Sequence, residues 1–247
     1  MRFSDRVAFV TGAGGGIGAA TAKRFASEGA RVVLNDVATE NAANVLREIE
    51  AAGGRGIFVE GSVTSKAEVD AMVQKIMSTF GQLDILINNA GITRDALTRK
   101  MSEAQWDQVL DVNLKGTFLC AQAVYGPMSE KKYGKIVNTA SIGALGNPGQ
   151  ANYAASKAGV MGLTYTLALE YARYNINVNA VAPGATKTPM TANMPPEALE
   201  KIISTIPLRR MANPEDIAGL HAFLASEEAS YITGQVIFMD GGITVGL

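Results

Sequence analysis

The sequence predicts an α/β fold: a doubly wound, seven-stranded parallel sheet flanked by helices on both faces, built as a single domain over residues 1–247. Three observations predict it. Short β-branched runs alternate with longer stretches that carry helix-start signals, the pattern of parallel strands joined by right-handed crossovers. The runs are continuously apolar rather than alternating, as strands covered on both faces should be. A glycine-rich turn follows the first run and opens a helix, which favours this fold over a βα-barrel of similar length.

The strand candidates, in chain order, are Val7-Ala8-Phe9-Val10, Arg31-Val32-Val33-Leu34, Gly56-Ile57-Phe58-Val59, Ile85-Leu86-Ile87, Ile136-Val137, Ile176-Asn177-Val178-Asn179-Ala180-Val181 and Val236-Ile237-Phe238. At least six helices lie between and around them. Ser65-Lys66-Ala67-Glu68 and Ser102-Glu103-Ala104-Gln105 read as capping boxes. Asn213-Pro214-Glu215-Asp216 has a cap, a proline at the first helical position and acids in the first turn. The longest irregular piece runs from about Pro183 to Asn213 and holds Pro189, Pro195, Pro196 and Pro207. A loop of that length in a compact domain is usually functional, and about 186–212 is the candidate lid.

Composition removes several classes of function. With 22 basic and 23 acidic side chains the net charge is -1, which argues against a nucleic-acid clamp. The single cysteine, Cys120, cannot close an internal disulfide, and a reducing compartment fits. His221 is the only histidine, so neither a multi-histidine metal site nor a histidine-based triad is available, and no metal is expected. The start, Met1 to Arg6, lacks the apolar core of a signal peptide, and no stretch offers about 20 apolar residues in a row for a membrane span. The expectation is a cytoplasmic protein with no membrane or nucleic-acid partner.

Four motifs carry chemistry. In Thr11-Gly12-Ala13-Gly14-Gly15-Gly16-Ile17-Gly18 the glycines let backbone approach a pyrophosphate, and the helix start behind them offers free N–H groups at a positive dipole end. Asp36 closes the second strand, 18 residues past Gly18, where a carboxylate accepts hydrogen bonds from ribose hydroxyls and repels a 2′-phosphate. Positions 13–17 and 37–39 hold no Lys or Arg, so NAD(H) is favoured over NADP(H). The plainer role for Asp36 is to cap the next helix. Asn88-Asn89-Ala90-Gly91 follows the fourth strand at the topological switch point, where its amides either brace the sheet or touch a cofactor. In Tyr153-Ala154-Ala155-Ser156-Lys157 the phenol and the ammonium share one helical face. Ser141 stands 12 residues upstream of Tyr153, just after the fifth strand, and Asn113 lies on the preceding helix.

On these residues the chain resembles the short-chain dehydrogenases/reductases, which have a Rossmann fold and a Ser–Tyr–Lys centre supported by Asn. The resemblance spans essentially the whole chain. Within that family, Gly91-Ile92-Thr93-Arg94-Asp95, Gly146-Asn147-Pro148-Gly149-Gln150-Ala151-Asn152-Tyr153 and Ile232-Thr233-Gly234-Gln235 are similar to 3-oxoacyl-acyl-carrier-protein reductases and acetoacetyl-CoA reductases. The resemblance implies a catalytic set of Asn113, Ser141, Tyr153 and Lys157. It implies a dinucleotide site of Gly12, Gly15, Gly16, Ile17, Gly18, Asp36, Ser62, Val63, Asn89, Ala90, Gly91, Tyr153, Lys157, Pro183, Gly184, Thr186 and Thr188. It also implies a homotetramer, with the helices of Asn113 and Tyr153 in one interface and Asp240 to Leu247 at another. Two features depart from the subgroup. Its members more often use NADPH and carry a basic residue where this chain has Gly14-Gly15, and the Ser141-to-Tyr153 interval is one residue short of the commonest spacing.

The expected reaction is hydride transfer between a nicotinamide and a carbonyl carbon, with Tyr153 as general acid in reduction and general base in oxidation. Ser141 is expected to donate to the substrate oxygen. Lys157 is expected to bind the nicotinamide ribose and, together with the positive nicotinamide ring of the bound cofactor, to bring the phenol from a pKa of about 10 toward about 7, which needs roughly 4 kcal/mol. By resemblance Asn113 holds a water that links Lys157 to solvent. The substrate is expected to be a small-molecule or carrier-bound carbonyl compound, first of all a 3-oxoacyl thioester on a carrier protein or CoA. The alternative is another secondary alcohol: a sugar, polyol, cyclic alcohol or steroid. Met190, Met194, Leu199, Ile202 and Ile203 either line an acyl pocket or simply pack a small helix on the body. Lys131, Lys132, Lys135 and Arg173 form a modest basic cluster, suited to an acidic carrier or a CoA phosphate but equally to solvent.

Overall fold

The computed structural model describes residues 1–189, 191–192 and 194–245. Seven strands form one parallel sheet: β1 (Val7–Thr11), β2 (Arg31–Asn35), β3 (Arg55–Val59), β4 (Ile85–Asn88), β5 (Gly134–Thr139), β6 (Ile176–Pro183) and β7 (Val236–Met239). Their spatial order is β3-β2-β1-β4-β5-β6-β7. The chain builds outward from β1 to β3, returns to lay β4 against β1, and then builds the other way. That reversal opens a crevice at the carboxyl ends of β1 and β4, the place where open sheets of this kind take ligands.

The helices among the described residues are α1 (Gly16–Ser27), α2 (Thr39–Ala51), α3 (Lys66–Phe80), α4 (Glu103–Leu110), α5 (Gly116–Lys131), α6 (Ala151–Tyr171), α7 (Pro196–Thr205) and α8 (Pro214–Leu224). They cover both faces of the sheet. Successive residues of β1 show how: Val7 and Phe9 pack with Met72, Ile76, Leu119 and Leu167 on one side, and Ala8 and Val10 pack with Ala22, Phe25, Ile49 and Ile217 on the other. Each fully buried side chain of this size contributes about 1.5–3 kcal/mol of transfer free energy, which is why the strands read as unbroken apolar runs.

The helix starts follow the local signals with one correction. Ser102 and Gln105 form the full reciprocal box of α4. At α3 the Ser65 hydroxyl accepts from Glu68 N, but the Glu68 carboxylate does not return to Ser65. It accepts from Ser62 N at 2.8 Å instead and so ties the β3–α3 turn to the helix. Pro214 opens α8, where the Asp216 carboxylate accepts from Asn213 N at 2.9 Å. α4 continues through a π-helical turn, Asp111–Lys115, into α5, a feature with no sequence signal.

The long segment after β6 contains α7 and is closed at its base by a parallel bridge between Thr186 and Ala212. None of the described residues of α7 is fully buried; Met194, Leu199, Ile202 and Ile203 are half-buried, and Met190 lies outside the described residues. Among the described residues no helix is long and apolar enough to cross a membrane. The basic cluster is smaller than the sequence suggests. Lys135 is 2% exposed and donates to Asn177 Oδ1 at 2.7 Å, while Lys131 is paired with buried Asp84. Cys120 is buried, and burial pushes its thiol up to about 12.

Candidate active site

The glycine turn is shaped by close backbone approach. A Cβ on Gly18 would stand 2.0 Å from the Gly12 carbonyl oxygen, and one on Gly12, at φ +63°, would stand 2.8 Å from Ala90 Cα. Only hydrogen fits there. Behind the turn, α1 begins with no side-chain cap and no acid in its first turn, so its N–H groups and dipole are free for an anion. Asn89 holds this shape: its Nδ2 donates to Thr11 O at 3.2 Å and Gly12 O at 3.0 Å. Asn88 braces the sheet, donating to Asn138 Oδ1 at 2.9 Å. Both amides thus take the bracing role, and Asn89 does so at the wall of the crevice. A pyrophosphate cradle of this kind fits a dinucleotide.

Asp36 serves the turn and the next helix at once. Oδ2 accepts from Gly14 N at 2.8 Å, and Oδ1 accepts from Ala38 N at 2.9 Å. At Gly14 a Cβ would lie 2.8 Å from that same Oδ2, so a side chain there would have to displace the Asp36 carboxylate. Gly15 does have room: its nearest neighbour, Pro189 Cγ, is 3.9 Å from a built Cβ. Beyond β3, Asn35 Nδ2 donates to Gly61 O at 2.8 Å, and Val63 packs against Gly116, so Ser62 and Val63 sit on a turn fixed from three sides.

On the other flank of the crevice, Ser141 follows β5 and Tyr153 and Lys157 lie on α6. Ser141 Oγ accepts from Gly143 N at 3.0 Å. A Cβ on Gly143 would stand 3.1 Å from Tyr153 Cε1 and 3.3 Å from Ser141 Oγ, so this glycine lets the phenol ring and the serine hydroxyl close on each other. Burial pushes the Tyr153 phenol above its ordinary range; the hydrogen bond with Ser141 pulls it down and the Asp95 carboxylate pushes it up. Lys157 is not among these influences. Its Nζ donates to the Thr139 carbonyl at 2.7 Å and lies 5.8 Å from the Tyr153 ring centroid, and burial lowers it to about 8. In the chain alone the largest influence on the phenol is therefore desolvation, which favours its neutral form.

Asn113 is fully buried in the π-helical turn. Its Oδ1 accepts from Ile92 N at 2.8 Å, and its Nδ2 donates to Ile92 O and Ser156 Oγ, each at 3.1 Å. Both amide protons are engaged, so a water at Asn113 would have to use its remaining acceptor capacity. Gly91 lies between the two flanks: a Cβ there would stand 3.3 Å from Asn113 Oδ1 and 3.5 Å from Lys157 Nζ. Pro183 ends β6, and Gly184 N donates to Met239 O at 3.0 Å. Thr186 is buried, and Thr188 lies against Gly16, within 3.2 Å of a built Cβ. The glycine turn, residues 89–91, the Asn–Ser–Tyr–Lys set and residues 183–188 thus surround one crevice. Sequence reasoning missed Thr139, Gly143, Ile92, Ser156 and Asp95, whose residue types carry no signal apart from the fold.

A family profile described as enoyl-(acyl carrier protein) reductase matches residues 12–244. The chain belongs to the short-chain dehydrogenase/reductase family. It is 48% identical over 246 residues to a 3-oxoacyl-[acyl-carrier-protein] reductase of Thermotoga maritima, covering 99% of this chain and 100% of that one. It is 46% identical over 242 residues to a (2S)-[(R)-hydroxy(phenyl)methyl]succinyl-CoA dehydrogenase subunit of Thauera aromatica, covering 98% of each. The crystal structure of levodione reductase superposes with a TM-score of 0.94 at 39% identity, covering all of both chains. As a short-chain dehydrogenase/reductase the protein is an oxidoreductase that works with a nicotinamide cofactor.

Proposed function

We propose that this enzyme interconverts 3-oxoacyl and 3-hydroxyacyl thioesters, carried on acyl-carrier protein or CoA, with NAD(H) preferred to NADP(H). The observation that carries the reaction type is the Ser141 hydroxyl and Tyr153 phenol closed together over Gly143 beside the glycine turn. A carbonyl oxygen placed between those two hydroxyls receives two hydrogen bonds. When bound, the nicotinamide supplies or accepts the hydride. Tyr153 delivers the phenol proton to the carbonyl oxygen in reduction and takes it back in oxidation. Lys157 has three donors and one acceptor in Thr139, which leaves it protons for a ribose hydroxyl. Enoyl reduction, named in the family's description, ends with a proton on carbon; the paired hydroxyls suit an oxygen.

The thioester is supported by two relatives whose names specify an acyl-carrier-protein or CoA substrate. NAD(H) is supported by Asp36 at the end of β2, hydrogen-bonded to the glycine turn with no basic side chain on that turn. We also propose one domain over 1–247, a cytoplasmic location, and no membrane or nucleic-acid partner. A homotetramer is supported by exposed apolar side chains on the outer faces of α5 and α6, Phe118, Tyr165 and Leu169; of the carboxyl-terminal stretch assigned to the other interface, Gly246 and Leu247 lie outside the described residues. The second reading, a cyclic alcohol or polyol and its ketone, is favoured by the likeness to levodione reductase. Initial rates with acetoacetyl-CoA, set against cyclic ketones and polyols with each cofactor, decide between them. Tyr153→Phe should keep NADH binding and lower kcat by about 100-fold or more; retention of most activity removes the assigned role.

A further inference from the structure

Asn152 precedes the catalytic tyrosine and has none of the roles described so far. It lies in the first turn of α6 and is completely buried. Its Oδ1 accepts from Tyr153 N at 2.8 Å, one of the helix-start amides that the helix itself leaves without a partner. Its Nδ2 donates to Arg94 O at 3.0 Å and to Gln105 O at 2.9 Å. One amide therefore joins the catalytic helix, the loop after β4 and the first turn of α4. The same loop is held at Ile92 by Asn113 and at its far end by two more bonds to the segment before α6, Ala96 N to Gly149 O at 2.8 Å and Gln150 Nε2 to Asp95 Oδ2 at 2.9 Å. Gln150, at the N-cap position of α6, makes no side-chain cap. The first turn, and with it the phenol, is thus located by Asn152.

Resting on the proposed role of Tyr153, we infer that Asn152 is a positioning residue: its amide fixes the Tyr153 turn against the loop after β4 and so sets where the phenol meets the substrate oxygen. A displacement of about 1 Å at a proton donor costs about 100-fold in rate. An aspartate at this site keeps the acceptor for Tyr153 N but turns a carboxylate toward two carbonyl oxygens. Protonated, it donates to one of them and restores part of the link.

The test is full-length Asn152→Ala and Asn152→Asp beside Tyr153→Phe, with NADH and acetoacetyl-CoA, reading kcat, KM, NADH affinity and thermal midpoint. Asn152→Ala should lower kcat about 10- to 100-fold with little change in NADH affinity. Asn152→Asp should gain on Asn152→Ala as pH falls through its carboxyl titration. Arg94 and Asp95 on the loop, Glu103 on α4 and Tyr153 itself are common to both variants, so the ratio at each pH cancels their titration. Asn152→Asp with the parent's kcat at every pH, or an Asn152→Ala loss that disappears when rates are taken per folded enzyme, overturns the inference. If Asn152→Ala does not fold, the pH profile of Asn152→Asp against the parent decides the matter in its place. An active Tyr153→Phe sinks the reading beneath it, whereas an inactive Tyr153→Phe beside unaffected Asn152 variants sinks only this one.

Discussion

Gly18 offers the sharpest test of the cradle. A methyl group there would start 2.0 Å from the Gly12 carbonyl oxygen and 2.6 Å from Asn89 Nδ2, where real contacts do not fall below 3.0 Å. The helix start must retreat by at least the difference, about 1 Å, and backbone gives way at a cost of about 1–3 kcal/mol. Retreat also pulls Gly12 O from Asn89 Nδ2, and a part-buried polar pair left open costs about 1–3 kcal/mol more. Gly18→Ala should therefore lose about 2–6 kcal/mol of stability and lower the melting temperature by roughly 4–24 °C for a chain of this length. NADH affinity should fall about 100-fold, because the N–H groups that meet the pyrophosphate move with the turn. Gly15→Ala is the internal control. Its backbone is extended at φ -175°, and the nearest atom to its methyl is 3.9 Å away, so its stability should stay within experimental error of the parent. Thermal unfolding and NADH titration followed by protein fluorescence read both variants. Parent-like NADH affinity and stability in Gly18→Ala would falsify the close-approach argument.

Asp36→Ala combined with Gly15→Arg should shift the ratio of kcat/KM for NADPH to that for NADH upward by about 100-fold, since it removes a carboxylate and adds a phosphate-binding cation where a side chain fits; an unchanged ratio argues that Asp36 only caps α2. His221 should make the fold acid-sensitive. It is fully buried between Thr21 and Thr139, and burial lowers it to about 3 from 6.5. The unfolded chain takes up that proton below pH 6.5 and the folded chain does not. Stability is thus lost as pH falls below 6.5, by about 2 kcal/mol over the first 1.5 units, at about 1.4 kcal/mol per unit. His221→Gln should flatten this part of the profile, and equal slopes in chemical denaturation of the two proteins count against it. Lys157 does not contribute in that window, because it is protonated in both states below about 8.

Much of the architecture was legible because two-sided burial writes itself into a strand as an unbroken apolar run, and because Gly12 and Gly18 stand where no other residue fits. Local cap chemistry found the starts of α4 and α8 for the same reason: the partners are three residues apart. The misses come from contacts beyond the three-residue reach of a cap. Glu68 satisfies its box spacing in sequence, yet its carboxylate accepts from Ser62 N on the turn after β3. Lys135 looks like surface charge until β6 places Asn177 over it. The resting partner of Lys157 is a backbone carbonyl, which no side-chain pattern can announce.

The bridge between Thr186 and Ala212, with Lys187 N on Ala212 O at 2.9 Å and Ala212 N on Ala185 O at 3.0 Å, gathers the two feet of the intervening stretch at one point beyond the end of β6. Loop closure is thus settled by backbone bonds at the feet, and the cost of changing what hangs between them grows only slowly with length. Evolution, or a protein engineer, can therefore exchange the interior of that stretch as a cassette while the two feet stay in place.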